Sequence, residues 1–173
     1  MFRKACFGTL VIAFAMGASI LESNADTSEL FGKTLICTRS LNGFPLTLTI
    51  YVTKERAFLY HSGKSAPSAA GVVYEFGRSR SGMMAGVNPY NSTARLSPAS
   101  IELSVTVENR TCTICDGKII VVSDTVRISG KANEWTAVRD FQQSFPDGTA
   151  AAVPSGSEEY SCSKRNGRVG VGQ

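Results

Sequence analysis

The sequence predicts an all-β protein: a small antiparallel β-barrel or β-sandwich, single-domain and stapled by disulfides. Three observations carry that expectation. Leu46, Leu48, Ile50 and Val52 alternate with Thr47, Thr49, Tyr51 and Thr53, the period of a strand that buries one face and wets the other. Ile101 to Val107 repeats the alternation, with Ile101, Leu103, Val105 and Val107 directed inward. Turn signals recur every eight to twelve residues, the spacing of short strands in a barrel or sandwich. A closed or nearly closed barrel is the preferred form, because closure removes the edges that invite aggregation.

The elements follow in order. Asp26 to Gly32 is a polar lead-in with room for one helical turn, and Lys33 to Arg39 is the first strand. Asn42-Gly43 and Pro45 turn the chain into the Leu46–Tyr60 hairpin, with Lys54-Glu55-Arg56 as its reversal. A Ser-, Gly- and Pro-rich loop leads to a strand over Gly71 to Gly77. Arg78 to Pro98 reads as a long connection holding one or two short strands. Ile101 to Val107 and Lys118 to Val122 are strands flanking a tip at Cys112 to Gly117, with a bend expected at Ser123-Asp124 before Thr125 to Ser129. Asn133 to Phe141 spaces Trp135, Val138 and Phe141 as on a helix face, yet its strand neighbours and Thr136 favour β. After a loop with Pro146-Asp147-Gly148 and Pro154, Glu158 to Ser163 closes the domain.

The N-terminus reads as a targeting segment. Arg3 and Lys4 precede an uncharged, mostly apolar run from Ala5 to Leu21, and Ser23-Asn24-Ala25 offers small residues for signal peptidase. The expected organisation is a signal peptide over 1–25, an antiparallel β domain over 26–163 and a flexible basic tail over 164–173. Cys6 lies at the start of the apolar run, whereas a lipoprotein's acylated cysteine follows it, so no lipid anchor is expected. Cleavage leaves 148 residues and lowers the net charge from +4 to +3. That is one secreted or periplasmic domain, not membrane-spanning and expected to be a monomer. So mild a charge excludes the dense basic stripe of a nucleic-acid binder.

Cys37, Cys112, Cys115 and Cys162 remain, an even count that favours disulfides in an oxidising compartment. Of the three pairings, Cys37–Cys162 with Cys112–Cys115 is preferred. Cys37 lies in the first strand and Cys162 in the last, and antiparallel folds bring terminal strands together. Cys112-Thr113-Ile114-Cys115 has the spacing of a redox pair. However, it lies between strands, and the following Asp116 would raise the thiol pKa values, opposing nucleophilic attack. A structural turn disulfide is the expectation, with thiol–disulfide redox chemistry and a zinc site as the alternatives.

Catalytic constellations are sparse. His61 is the only histidine and would have to serve as the base of any triad, and no G-x-S-x-G elbow occurs. Paired carboxylates would come from Glu75, Glu102, Glu108, Asp116 and Asp124, which are scattered along the chain. Asn91-Ser92-Thr93 and Asn109-Arg110-Thr111 match the glycosylation pattern. Trp135, Tyr51, Tyr60, Tyr74, Tyr90 and Tyr160 suit core or cross-strand packing, or the lining of a cavity. No cofactor or metal is expected.

The order Cys37, then LTLTIY, then RAFLYHSG, then Ser68 to Tyr74 resembles the periplasmic inhibitors of C-type lysozyme. The resemblance covers about Cys37 to Gly77. It implies a small eight-stranded barrel with a terminal disulfide. In that family the serine of a Ser-Gly-x-x-Tyr segment enters the lysozyme cleft. Here Ala70 stands in that serine's place, and no site residue is carried over. The sequence therefore points to a binding protein without a catalytic site, its partner a protein or a small apolar ligand. A lysozyme-inhibitor-like protein that blocks a hydrolase is the alternative, and a redox protein using Cys112 and Cys115 the other.

Overall fold

The computed structural model describes residues 25–62, 72–84, 86–110, 117–131, 134–151 and 155–169. The proposed signal peptide before residue 25, the Cys112–Cys115 tip and Asp116 lie outside the described residues. Ten strands form one antiparallel sheet: β1 (Lys33–Leu41), β2 (Phe44–Val52), β3 (Arg56–Ser62), β4 (Val72–Glu75), β5 (Ser79–Met84), β6 (Asn88–Leu96), β7 (Ser100–Asn109), β8 (Ile120–Lys131), β9 (Glu134–Ser144) and β10 (Gly156–Asn166). Each pairs with its sequence neighbour except at the ends of the sheet, and β1 also pairs with β10, giving the order β4-β3-β2-β1-β10-β9-β8-β7-β6-β5. The expected all-β fold is observed, as a nearly closed barrel.

Side-chain alternation sets which residues fill the barrel. The ladders place Leu35, Ile50, Leu59 and Val72 in one row across β1 to β4, and Leu103, Val126 and Ala94 in another across β6 to β8. All are buried, as are Ile101, Val105 and Val107 of the predicted alternating strand. Cys37 and Cys162 oppose each other across β1 and β10, with an S–S distance of 2.05 Å. The preferred terminal pairing is thus the one the fold presents.

The sheet does not close by a ladder. Where β4 meets the β5–β6 edge, the described contacts are an isolated parallel bridge from Phe76, just after β4, to Ala94 of β6, and the Gly77 N–H donating to the Ala94 carbonyl at 3.2 Å. The buried Ser92 hydroxyl lies 2.9 Å from the Val73 carbonyl and 3.3 Å from that of Arg80, so one side chain spans both free edges. Arg80 adds an ion pair to Glu75 at 2.6 Å across the same gap.

One end of the barrel is plugged. Asp26 caps a 3₁₀ turn over Thr27–Leu30 through the Ser28 N–H, and Leu30 is fully buried. Thr27 straps this turn to the β6–β7 connection, its N–H donating to the Pro98 carbonyl and its hydroxyl to that of Ser97. Trp135 seals the layer behind it, buried to 2%. Its ring lies over Gly130, the residue directly opposite on β8. Among the described residues the indole N–H meets no hydrogen-bond partner, and the Lys164 ammonium stands 5.9 Å from the ring centroid.

Four expectations need correction. The resemblance implied eight strands, whereas ten are present. No bend interrupts Ser123-Asp124, because β8 runs unbroken from Ile120 to Lys131, paired on both sides. Arg78 to Pro98 is mostly strand, β5 and β6, with a short turn between. Finally, β10 continues to Asn166, so Lys164 and Arg165 belong to the sheet and not to a loose tail, each paired with β1.

A Cβ at Gly130 would lie 2.8 Å from the Trp135 ring and from Ala25 Cβ, closer than side chains tolerate. Gly130→Ala is expected to destabilise by about 1–3 kcal/mol, the usual range for overpacking, read as a lower urea midpoint at unchanged m-value. An unchanged midpoint would mean that Trp135 does not pack on this residue.

Candidate functional site

Opposite the plug lies the barrel mouth, ringed by the β1–β2 and β5–β6 turns, the β9–β10 connection and the ends of β7 and β8. Counting in twos along the strands places four charged side chains inside the barrel below this mouth. Cys37 faces in, so Arg39 does; Cys162 faces in, so Tyr160 and Glu158 do; Trp135 and Ala137 put Arg139 in phase. Asp124 joins them from β8, beside the buried Val126.

These groups form one network. Arg139 Nε and Nη2 both donate to Asp124, at 2.9 and 2.6 Å to Oδ2, while its Nη1 lies 3.4 Å from Glu158 Oε2. Arg39 Nη1 reaches Glu158 Oε1 at 3.2 Å, and the Tyr160 hydroxyl donates to Glu158 Oε2 at 2.6 Å. Two cations thus face two carboxylates, an electrically balanced layer. Burial alone would lower the Arg139 pKa, but its bonds and charge attraction to Asp124 outweigh that and raise it. Burial first, then the Glu158 carboxylate, raises the Tyr160 phenol, and burial with Asp124 raises that of Tyr74. Both phenols stay protonated at neutral pH.

Water still reaches this layer. The side chains of Arg39, Glu158, Arg139 and Asp124 retain 21%, 13%, 17% and 16% of their exposure although they point into the barrel. Arg139 lies 5.1 Å from the centroid of the half-buried Phe141 ring, one step nearer the mouth. The rim above is apolar. Leu41, Phe44, Met83, Val87 and Ile119 are exposed large hydrophobic residues on its turns and strand ends, Phe44 at 63%.

Most carboxylates singled out from sequence lie elsewhere. Glu75 pairs with Arg80, Glu102 with Arg127 and Glu108 with Arg110, all on exposed surface. Of the described members of that group Asp124 alone enters the barrel, and its carboxylate companion is Glu158, which sequence inspection passed over. Both are tied to arginine, an arrangement suited to holding charge and not to proton transfer. His61 pairs with Leu48 across β2 and β3. Tyr74, Tyr160 and Trp135 are core residues, and Tyr90 packs against the core with its ring over Gly82. Tyr51 lies on the outer wall, tilted against Phe58. Among the described residues no group of three or more His, Cys, Asp and Glu is gathered as a metal site. No described helix is long and apolar enough to cross a membrane.

Removing Arg139 would strip the Asp124 carboxylate of the bonds that hold it, while Glu158 keeps Arg39 and the Tyr160 hydroxyl. Arg139→Met is expected to cost about 3 kcal/mol, the lower end for breaking a buried pair because some water remains. Adding Asp124→Leu should recover part of that loss in a double-mutant cycle, measured by urea unfolding. Strict additivity would contradict the coupling.

No protein-family model, curated protein or solved structure matches the chain.

Proposed function

We propose that this is an exported binding protein whose barrel mouth takes a small amphipathic ligand. The observation that supports this most is the balanced Arg39–Glu158–Arg139–Asp124 layer, reachable by solvent inside a barrel whose lower half is packed with apolar side chains. Fully buried ion pairs seldom add net stability over well-packed apolar residues. A layer left partly wet beneath an apolar rim suits a ligand with one polar and one apolar end. The polar end would exchange hydrogen bonds with the arginines and carboxylates, while the apolar body lies against Phe141 and the rim. The terminal disulfide is compatible with an oxidising compartment. Inhibition of a hydrolase, the alternative suggested by the lysozyme-inhibitor resemblance, has less support, since that resemblance implied a smaller barrel.

The test is titration with anilinonaphthalene sulfonate, a fluorescent probe with an anionic group on an apolar ring system. Saturable one-to-one enhancement is expected, weakened about tenfold by Phe141→Ala, which corresponds to ~1.4 kcal/mol. Phe58→Ala on the outer wall should leave it unchanged. Absence of saturable binding to the folded protein, or equal sensitivity to both substitutions, would exclude the mouth as the site.

A further inference from the structure

The charged layer under the mouth has its carboxylates filled and one arginine underused. Each carboxylate oxygen already receives a donor. Arg139 Nε lies 3.1 Å from Asp124 Oδ1, and its Nη2 lies 2.6 Å from Oδ2. Arg39 Nη1 meets Glu158 Oε1 at 3.2 Å, and the Tyr160 hydroxyl donates to Oε2 at 2.6 Å. Arg139 serves both carboxylates, whereas the Arg39 guanidinium meets Glu158 Oε1 alone among the described residues. A guanidinium presents its N–H donors as a planar fork, so that single contact leaves the Nε–Nη2 edge of Arg39 for an incoming acceptor. Arg39 is also the most exposed member of the layer, at 21% against 13–17% for the others.

This imbalance selects the polar end of a ligand. A carboxylate could take two parallel N–H bonds from the Arg39 fork. Arg39 would then be shared between two carboxylates, as Arg139 already is. An ammonium in the same place would meet two guanidinium groups and no carboxylate oxygen without a donor, so like-charge repulsion opposes it. A neutral hydroxyl would gain only an uncharged, weaker bond.

The register of the β1–β2 hairpin lays an apolar track above Arg39. Cys37 opposes Leu48, Arg39 opposes Leu46, and Leu41 opposes Phe44. Cys37 and Leu48 are fully buried, so the next two pairs stand on the same inward face, at successive steps toward the mouth. Leu46 packs against the core, while Leu41 and Phe44 at the rim are 44% and 63% exposed. Two residues of strand advance about 7 Å, which sets the rise from Arg39 to the rim pair.

We propose that the mouth takes an aliphatic carboxylate, an alkyl chain ending in a carboxyl group. The carboxylate chelates the Nε–Nη2 edge of Arg39, and the chain runs over Leu46 to Leu41 and Phe44. This assignment rests on the mouth being the binding site and names the chemistry of its ligand.

Calorimetric titration of the purified full chain with octanoate, octanol and octylamine, each below its aggregation concentration, tests the assignment. The three share a chain length that reaches from Arg39 past the rim and differ in the polar end. Octanoate is expected to bind with Kd on the order of 0.1 mM, and the other two roughly tenfold more weakly. Arg39→Gln should abolish the preference for octanoate over octanol. Arg39→Lys, which keeps the charge and loses the planar fork, should restore only part of it. Leu46→Ala should weaken octanoate and octanol alike. The comparison of the three ligands on the unaltered protein holds even where a variant folds poorly. Octylamine or octanol binding as tightly as octanoate, or a preference untouched by Arg39→Gln, would overturn the choice of head group. The mouth itself is judged separately, by anilinonaphthalene sulfonate and Phe141→Ala, and can survive that result. No saturable binding of octanoate would overturn the ligand class outright.

Discussion

The pairing of β1 with β10 is the constraint on which the rest of this architecture depends. The chain forms two meanders, β1 to β4 and β5 to β10, and contact between the first and last strands joins them into the one sheet that curls into a barrel. Six residue pairs, Lys33–Asn166 to Thr38–Ser161, make that contact, and Cys37–Cys162 fixes it covalently. The bond spans a sequence separation of 125 residues, for which a chain-entropy argument gives roughly 5 kcal/mol of stabilisation. The contact is also the slowest to find, because its partners are nearly the whole domain apart. Once formed, it sets the phase of every inward-facing residue on both strands. Arg39, Glu158 and Tyr160 enter the barrel because they lie an even number of residues from the two cysteines.

The opposite side of the barrel is built differently. Where β4 meets the β5–β6 edge, a parallel bridge to Ala94 of β6, the Ser92 hydroxyl and the Arg80–Glu75 ion pair stand in place of a ladder. A backbone ladder distributes its bonds along a strand, whereas this seam concentrates them in a few side chains. The exposed start of β5, Ser79 to Ser81, has a charged residue at its centre, a common means of discouraging edge-to-edge pairing. Covalent closure on one side and side-chain closure on the other leave the seam as the wall's weaker line. Between them lies the charged layer. Ten strands enclose more width than eight, and the arginine–carboxylate network occupies part of that width while remaining hydrated.

The period of two made most of the fold legible from sequence. The Leu46–Tyr60 hairpin and the inward set Ile101, Leu103, Val105 and Val107 follow directly from alternation, because each residue's face depends only on its neighbours in the strand. The terminal cysteine pairing followed from chain order. Elsewhere the physics is non-local. Arg78 to Pro98 has few large apolar residues, since the first half of β5, Ser79 to Ser81, is exposed on both faces and β6 buries small side chains such as Ser92 and Ala94. Ser123-Asp124 looked like a bend because both residues favour turns, yet the inward Asp124 is compensated by Arg139 on the adjacent strand β9. The charged layer was readable in principle: counting in twos from Cys37 and Cys162 reaches Arg39 and Glu158. It escaped notice because inward positions were taken to be apolar. The hydrogen bonds of the Thr34 hydroxyl to the Gly167 carbonyl and from the Val169 N–H could not be read, since they join opposite ends of the chain.

Non-reducing peptide mapping by mass spectrometry is the most direct test of the closure between first and last strands. It predicts a peptide containing Cys37 linked to one containing Cys162 in the folded, oxidised protein. A link from Cys37 to Cys112 or Cys115 would contradict it, because the Cys37–Cys162 bond is the one that ties β1 to β10.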